Sequence, residues 1–363
     1  MHSVPPHHLA PTYTTCYPKA SHYTTEQTFD QVFRNVTPLW ENGSMKTTIA
    51  SLSREIHTES DAYLYLENLR WHGTPVCPKC ASTDVHYVEP SNGVSRTTAG
   101  GSQSERRVWK CQPCRKQFSV LTGTMMHATK IPVRTWVMVI FEMCSSKNGV
   151  AAREIERKYG LCPRTAWHML HRIREAMSHD DATLFSGDVV SDEVYIGGVP
   201  GNRHADKDDV KGTYGRTDMT PVVTLIDEDT HEARSTVLPW VDSASLGTVI
   251  RDNVDMATTT LHTDSLRAYI PIGRKMAGHY SVDHRAGIYG TDKTNGTNLC
   301  ENYFAQLKRG LKGTHIHVDP KHLHRYLGEF DYRFSTFEMT DTERMEDLGA
   351  RMSGRLSYEL VKA

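Results

Sequence analysis

The sequence predicts an α/β protein in which a basic, cysteine-bearing N-terminal part precedes a strand-rich, acidic C-terminal part. Three observations carry that expectation. Two Cys-x-x-Cys pairs stand at Cys77/Cys80 and Cys111/Cys114, and a helix–glycine–helix pattern follows over 130–180. After Asp180, apolar runs of strand length alternate with helical periods.

A chain of 363 residues is long enough for two to three domains. Its net charge of −1 hides an asymmetry, because Arg70 to His179 holds 17 Lys and Arg against seven Asp and Glu. The rest is correspondingly acidic. A basic module joined to an acidic one suits a protein that docks on phosphates with one part and gathers cations with the other. No apolar run reaches the roughly 20 residues that cross a bilayer, and the N-terminus has no hydrophobic signal core. A cytoplasmic, nucleoid-associated protein with no membrane partner is expected.

Residues 1–44 are rich in His, Pro, Thr and Tyr without a period, which predicts a disordered arm. Met45 opens a stretch that reads as a second possible start, so translation begins at Met1 or Met45. A short helical segment is expected over 45–72, with Ala62, Tyr63, Leu66 and Leu69 at helical spacing.

Over 73–125 the two cysteine pairs, each on a knuckle containing proline, predict a zinc ribbon. Four thiolates in this spacing close a tetrahedral Zn2+ site whose metal supplies folding energy to a small module. Disulfides are disfavoured in an intracellular chain, and neither pair sits at the strand-to-helix junction that dithiol redox chemistry requires. The 81–110 interval exceeds an ordinary ribbon hairpin. Its Gly/Ser/Thr-rich part, Ser91 to Ser104, is expected to be a flexible loop, while Trp109, Phe118 and Val120 pack around the knuckles.

Over 130–180, two helices joined at Gly160, the second opening at Pro163, predict a helix-turn-helix. Val150, Ile155, Ala166, Leu170 and Ile173 form its apolar set. Arg153, Arg157, Lys158, Arg164, His168, His171, Arg172 and Arg174 are left for solvent or DNA. Arg164, Thr165, His168 and Arg172 are the candidate groove contacts.

Over 185–337, strands are expected at Asp188 to Ile196, Pro221 to Asp227, Ala233 to Leu238 and Thr258 to His262, with helices at 243–254 and 297–311. Asp192 stands near the end of the first strand, Asp264 at the end of the fourth, and Glu301 inside the last helix. Asn298, Glu301, Ala305 and Lys308 share one face of that helix. Three carboxylates without thiols suit a hard cation, Mg2+ or Mn2+, better than zinc. Glu193, next to Asp192, points to the opposite face of a continuous strand. The charged, glycine-bearing 200–217 loop is expected to be disordered without DNA, and the 338–363 tail is charged and helical with no usable motif.

The ordered set Cys77-x-x-Cys80, Cys111-x-x-Cys114, Phe118-Ser-Val-Leu-Thr-Gly-Thr, Ala166-Trp-His-Met-Leu-His-Arg, Asp192-Glu-Val-Tyr-Ile-Gly-Gly, Thr263-Asp-Ser, Asp283-His284, Asn298-x-x-Glu301 and Leu307-Lys-Arg-Gly resembles the zinc-ribbon DDE transposases of bacterial insertion sequences, the group related to Merlin transposons. The likeness runs on through Gly313-Thr-His, His322-Leu-His-Arg-Tyr-Leu and Glu329-Phe-Asp-Tyr-Arg333. It implies a ribonuclease H-like catalytic domain in which Asp192, Asp264 and Glu301 hold the catalytic Mg2+ or Mn2+. Lys308 becomes the basic residue two turns past the glutamate. Asn298 is the alternative third ligand, and His284 either contacts the scissile phosphate or is a structural histidine.

The expected function is therefore a DNA transposase that binds terminal inverted repeats, cleaves phosphodiesters and transfers strands. Double-stranded transposon ends and target DNA are its partners, and joining two ends calls for a homo-oligomer on DNA. The alternatives are a transposase-derived DNA-binding regulator without catalysis and a Mg2+-dependent nuclease.

Overall fold

The computed structural model describes residues 47–91, 93, 95–97, 101, 103–178, 183–197, 219–283, 296–354 and 356–362. The expected arm at 1–44, Met45, the 200–217 loop and His284 lie outside them. Helices α1 (Ile49–Glu55) and α2 (Glu59–Trp71) begin at Thr48 and Thr58, each of which forms a reciprocal capping box with the third helical residue. The ribbon follows as β1 (Val85–Tyr87), β2 (Arg96–Thr97), β3 (Gln103–Ser104), β4 (Trp109–Cys111) and β5 (Gln117–Phe118). Strands β1, β4 and β5 make one antiparallel sheet.

The Ser91–Ser104 segment departs from the expected loop. There β2 pairs antiparallel with β3, Arg96 opposite Ser104, and the Arg96 guanidinium donates to the Arg106 carbonyl. Polar composition disguises a hairpin when neither face needs to be apolar.

Helix α2 closes over the ribbon. Trp71 meets Trp109 and Phe118 edge-on at 5.9 and 6.0 Å, and the Glu67 carboxylate accepts from Trp109 Nε1 and Arg107 Nε at 2.9 and 2.8 Å. Trp109, Phe118 and Val120 therefore serve packing, as expected.

Helices α3 (Val133–Ser145), α4 (Ala152–Tyr159) and α5 (Pro163–Met177) continue the same core, in which Trp136, Ile140, Ile155, Leu170 and Ile173 are fully buried. Gly160, at φ +64°, ends α4 in the left-handed conformation, where a glycine costs least. The expectation that 171, 172 and 174 stay available to solvent or DNA is overturned. His171, Arg172 and Arg174 are 0, 7 and 1 % exposed, because elements from the far end of the chain cover His171 and Arg174, and Arg172 turns onto Trp136 and the His127 carbonyl.

The second half forms β6 (Phe185–Ile196), β7 (Thr220–Asp227), β8 (Ala233–Val237), α6 (Ser243–Asn253), β9 (Val254–Asp264) and β10 (Gly278–Val282), then α7 (Asn298–Gly310), α8 (Leu323–Ser335), α9 (Asp341–Ala350) and α10 (Tyr358–Lys362). The five strands make one mixed sheet in the order β10-β9-β6-β7-β8. Strands β6, β7 and β8 are successively antiparallel, whereas β9 runs parallel to both β6 and β10. Leu246 and Ile250 of α6 pack with Val189, Leu225 and Leu261 on one face. On the other, Cys300, Tyr303 and Leu307 of α7 and Leu327 and Phe330 of α8 pack with Val190, Val222 and Ile226.

Residues 338–363 are not a separate tail. Met345, Leu348 and Met352 are buried in the N-terminal core, and Met125 N–H donates to the Met352 carbonyl.

A buried ion triad fastens α5 to α8. Glu329 accepts from Arg174 Nε at 2.6 Å and from Arg333 Nη2 at 2.7 Å, with its side chain wholly buried. Burial alone would push the Glu329 carboxyl up, but Arg174 and Arg333 outweigh it and hold it down at about 2. Gly149 (φ +84°) makes room: a Cβ there would lie 2.9 Å from Glu329 Oε1.

Removing the carboxylate strands two buried guanidinium groups, so Glu329→Gln is expected to destabilise the fold by about 3–5 kcal/mol at neutral pH in urea unfolding. Because the folded pKa lies below the ordinary 4.5, wild type holds this advantage in full above about pH 4.5 and loses it as pH falls through about 2. Equal unfolding midpoints at pH 7 would contradict the assignment.

Candidate functional site

Strand periodicity decides where the acids point. Val190 and Val194 of β6 bury against α7, so Asp192 between them faces the same helix. Ser191 bonds Tyr269 Oη at 2.8 Å, and the same hydroxyl donates to the Glu193 carboxylate on the opposite face. The expectation for Glu193 agrees with this placement. Burial pushes its carboxyl up to about 8; the Tyr269 hydrogen bond opposes this, and the charges of Asp192 and Asp264 add to it.

Parallel pairing then sets the level. Asp188, Val189 and Val190 stand opposite Thr260, Leu261 and His262, and the same offset carried two residues further brings Asp192 level with Asp264. Both acids are half-buried, Asp264 at the end of β9 and Asp192 within β6 opposite Thr224. Each is pinned by a local backbone N–H: Asp192 accepts from Glu193 at 2.8 Å and Asp264 from Leu266 at 2.9 Å. One turn deeper on the same face, His262 Nε2 lies 2.7 Å from Asp188 Oδ1 and its ring stacks on Tyr280.

Helix α7 supplies the third side. Its buried face is Cys300, Tyr303, Phe304 and Leu307, which leaves Asn298, Glu301, Ala305 and Lys308 exposed along one stripe. Cys300 Sγ reaches the carbonyls of Val190 and Thr224, each at 3.8 Å, and thereby seats the first turn of α7 on the strand pair beside Asp192. Burial pushes its thiol well above the ordinary range, and the charges of Asp192 and Glu193 add to that. Sequence reasoning passed over Cys300 and Tyr269. The apolar period of α7 was the available signal for the former; nothing in the sequence pointed to the latter.

The cysteines fit a tetrahedral metal directly. The four sulfurs lie within 4.8 Å of one another, with Cys77 Sγ 3.6 Å from Cys114 Sγ and Cys80 Sγ 3.5 Å from Cys111 Sγ. Zn–S bonds of about 2.3 Å imply S···S edges of about 3.8 Å. Among the described residues no other group of three or more His, Cys, Asp or Glu gathers so closely. Asp192 and Asp264, both half-buried, and Glu301, which is exposed, are hard oxygen donors.

The four groove candidates separate. Arg164 is exposed at the start of α5, with Tyr358 of α10 5.8 Å below its guanidinium. Thr165 is half-buried against Cys162 Sγ, and His168 Nε2 lies 3.3 Å from the Leu356 carbonyl. Arg172 is buried, donating to the His127 carbonyl at 3.0 Å and lying over the Trp136 ring, so it is a packing residue.

Two family models match the chain. The transposase zinc-ribbon domain matches residues 57–117 and the ISXO2-like transposase domain residues 184–335. No curated protein matches it. No helix among the described residues is long and apolar enough to cross a membrane.

One zinc per chain is expected by elemental analysis. A strong chelator should abolish the near-ultraviolet signal of Trp71 and Trp109, as should Cys111→Ser; a signal unchanged without zinc would count against a metal-dependent ribbon.

Proposed function

Because this chain is a zinc-ribbon DDE transposase, we propose that it binds the terminal inverted repeats of its own element through the ribbon and α4–α5, and cuts and joins DNA at Asp192, Asp264 and Glu301. The observation that supports this reading is the β6–β9 register, Val190 opposite His262, which extended by two residues would bring Asp192 level with Asp264, with Glu301 exposed on α7. The order β10-β9-β6-β7-β8, antiparallel on one side of β6 and parallel on the other, supports a ribonuclease H-like domain. The α4–Gly160–α5 turn supports a helix-turn-helix.

Mg2+ or Mn2+, when bound, polarises the attacking and leaving oxygens of the phosphodiester. Asp192 and Asp264 hold the cation with carboxylates already oriented by their backbone N–H bonds. Glu301 completes the site from the exposed rim and is preferred to Asn298 because a carboxylate offers more to a hard ion. Lys308, two turns along the same stripe, positions a phosphate oxygen. His284, which follows β10 in the sequence, is the candidate contact to the scissile phosphate.

In the first step water forms the new P–O bond, and the 3′ oxygen leaves as a hydroxyl. In the second, that hydroxyl attacks a target phosphodiester in line, and its proton passes to the displaced 3′ oxygen. Two ends joined in one event call for a dimer or larger assembly on the DNA. The site of action is the nucleoid.

Duplexes from the flanks of the gene test this. Wild type should cleave and join them in Mg2+, while Asp192→Asn, Asp264→Asn and Glu301→Gln bind equally but lose roughly a thousandfold in rate or more. Binding without cleavage by wild type in any divalent ion would favour a regulator. Arg164→Ala should weaken binding by about 1–3 kcal/mol, whereas Arg172→Ala should lower thermal stability instead.

A further inference from the structure

Beyond α7 the chain makes a turn that packing alone does not explain. Leu311–His315 continues the helix as one π turn, and Ile316 follows at φ 63°, ψ −55°. His317 N–H donates to the His315 carbonyl at 2.7 Å, closing a γ-turn of the rare, strained hand with Ile316 at its apex. A β-branched residue there is a genuine outlier, yet the Ile316 side chain is 83 % exposed and gains no burial in return. Both flanks hold the turn in place. Leu311 is buried, the His315 ring packs on Tyr326 and Phe330 at 4.8 and 6.3 Å, and Val318 packs into the core under α7. Strain kept by rigid surroundings points to a role outside the folded chain.

The surroundings identify the partner. Glu301, Ala305 and Lys308 form one exposed stripe of α7, and Lys312 and Ile316 are exposed on the turn that continues it. Asp319, the nearest acid beyond the turn, is occupied with the Lys321 N–H at 3.1 Å. A cationic stripe ending in a rigid apolar tip matches the chemistry of a protein wedge that enters a base step.

We propose that Ile316 inserts into a base-pair step of the bound DNA and unstacks it, roughly 20 Å from Glu301 along α7 and the turn that follows it. At about 3.4 Å per step this is about six base pairs from the cleaved phosphodiester. The proposal rests on the reading that the stripe of α7 faces the duplex.

The test uses the full chain and duplexes from the gene's flanks carrying 2-aminopurine at successive positions. Ile316→Gly removes the apolar tip and relieves the positive φ, so it should fold at least as well as wild type. Wild type and Ile316→Leu should raise the fluorescence at one position, and Ile316→Gly should not. On paired DNA, Ile316→Gly should cleave about tenfold more slowly or worse, and it should recover to within about twofold on DNA mismatched at that step. A purely structural role would not give that recovery.

Asp192→Asn should unstack the step without cutting, which separates the two readings. Cleavage by that variant would remove the acid site and leave the wedge standing. Fluorescence in Ile316→Gly equal to wild type would overturn the wedge, as would a change confined to the number of chains in the complex, which would mark Ile316 as a contact between copies.

Discussion

The parallel pairing of β6 with β9 is the constraint on which the site depends. Side chains alternate along both strands, so a slip of one residue would turn Asp264 from the face of Asp192 to the face of Tyr269. The apolar residues police that register. Val189 with Leu261 faces α6, and Val190 faces α7, so a slip would expose both sets at once. Asp264 closes β9, and Asp192 lies between Val190 and Val194 in a strand whose apolar positions are already determined. Cys300 extends the same logic to the helix, because a buried thiol against two strand carbonyls fits only one seating of the first turn of α7.

The second requirement is that helices α4 and α5 keep a defined position relative to the sheet. Apolar contact alone would let α5 and α8 slide. The Arg174–Glu329–Arg333 triad does not, since each oxygen of the wholly buried carboxylate has one guanidinium partner. Arg174 also lies 4.0 Å from the Tyr326 ring, and His315 packs on the same tyrosine. The triad, α7 and the turn bearing Ile316 thus form one packed unit.

Much of this was legible in the sequence. Thiolate spacing, strand alternation and the α7 stripe are local signals, and they located the ribbon, β6, β9 and the exposed face of Glu301 and Lys308. What could not be read is non-local. Amphipathic periodicity says which face of α5 is apolar, but not that α8 would cover Arg174 and His171 or that Arg172 would turn inward onto Trp136. The burial of Met345, Leu348 and Met352 in the N-terminal core is of the same kind: a charged segment with three well-spaced apolar residues looks like a tail until its groove is known. The β2–β3 hairpin escaped for the opposite reason, because exposed strands need no apolar face.

Direct binding of one divalent ion by Asp192 and Asp264 is tested more sharply by a change of ligand chemistry than by loss of function. A thiolate tolerates Mn2+ far better than Mg2+. Strand cleavage by Asp192→Cys and Asp264→Cys, measured in each ion, should be absent in Mg2+ and return in Mn2+. Failure of both variants to recover in Mn2+, with DNA binding intact, would contradict direct coordination by these two acids.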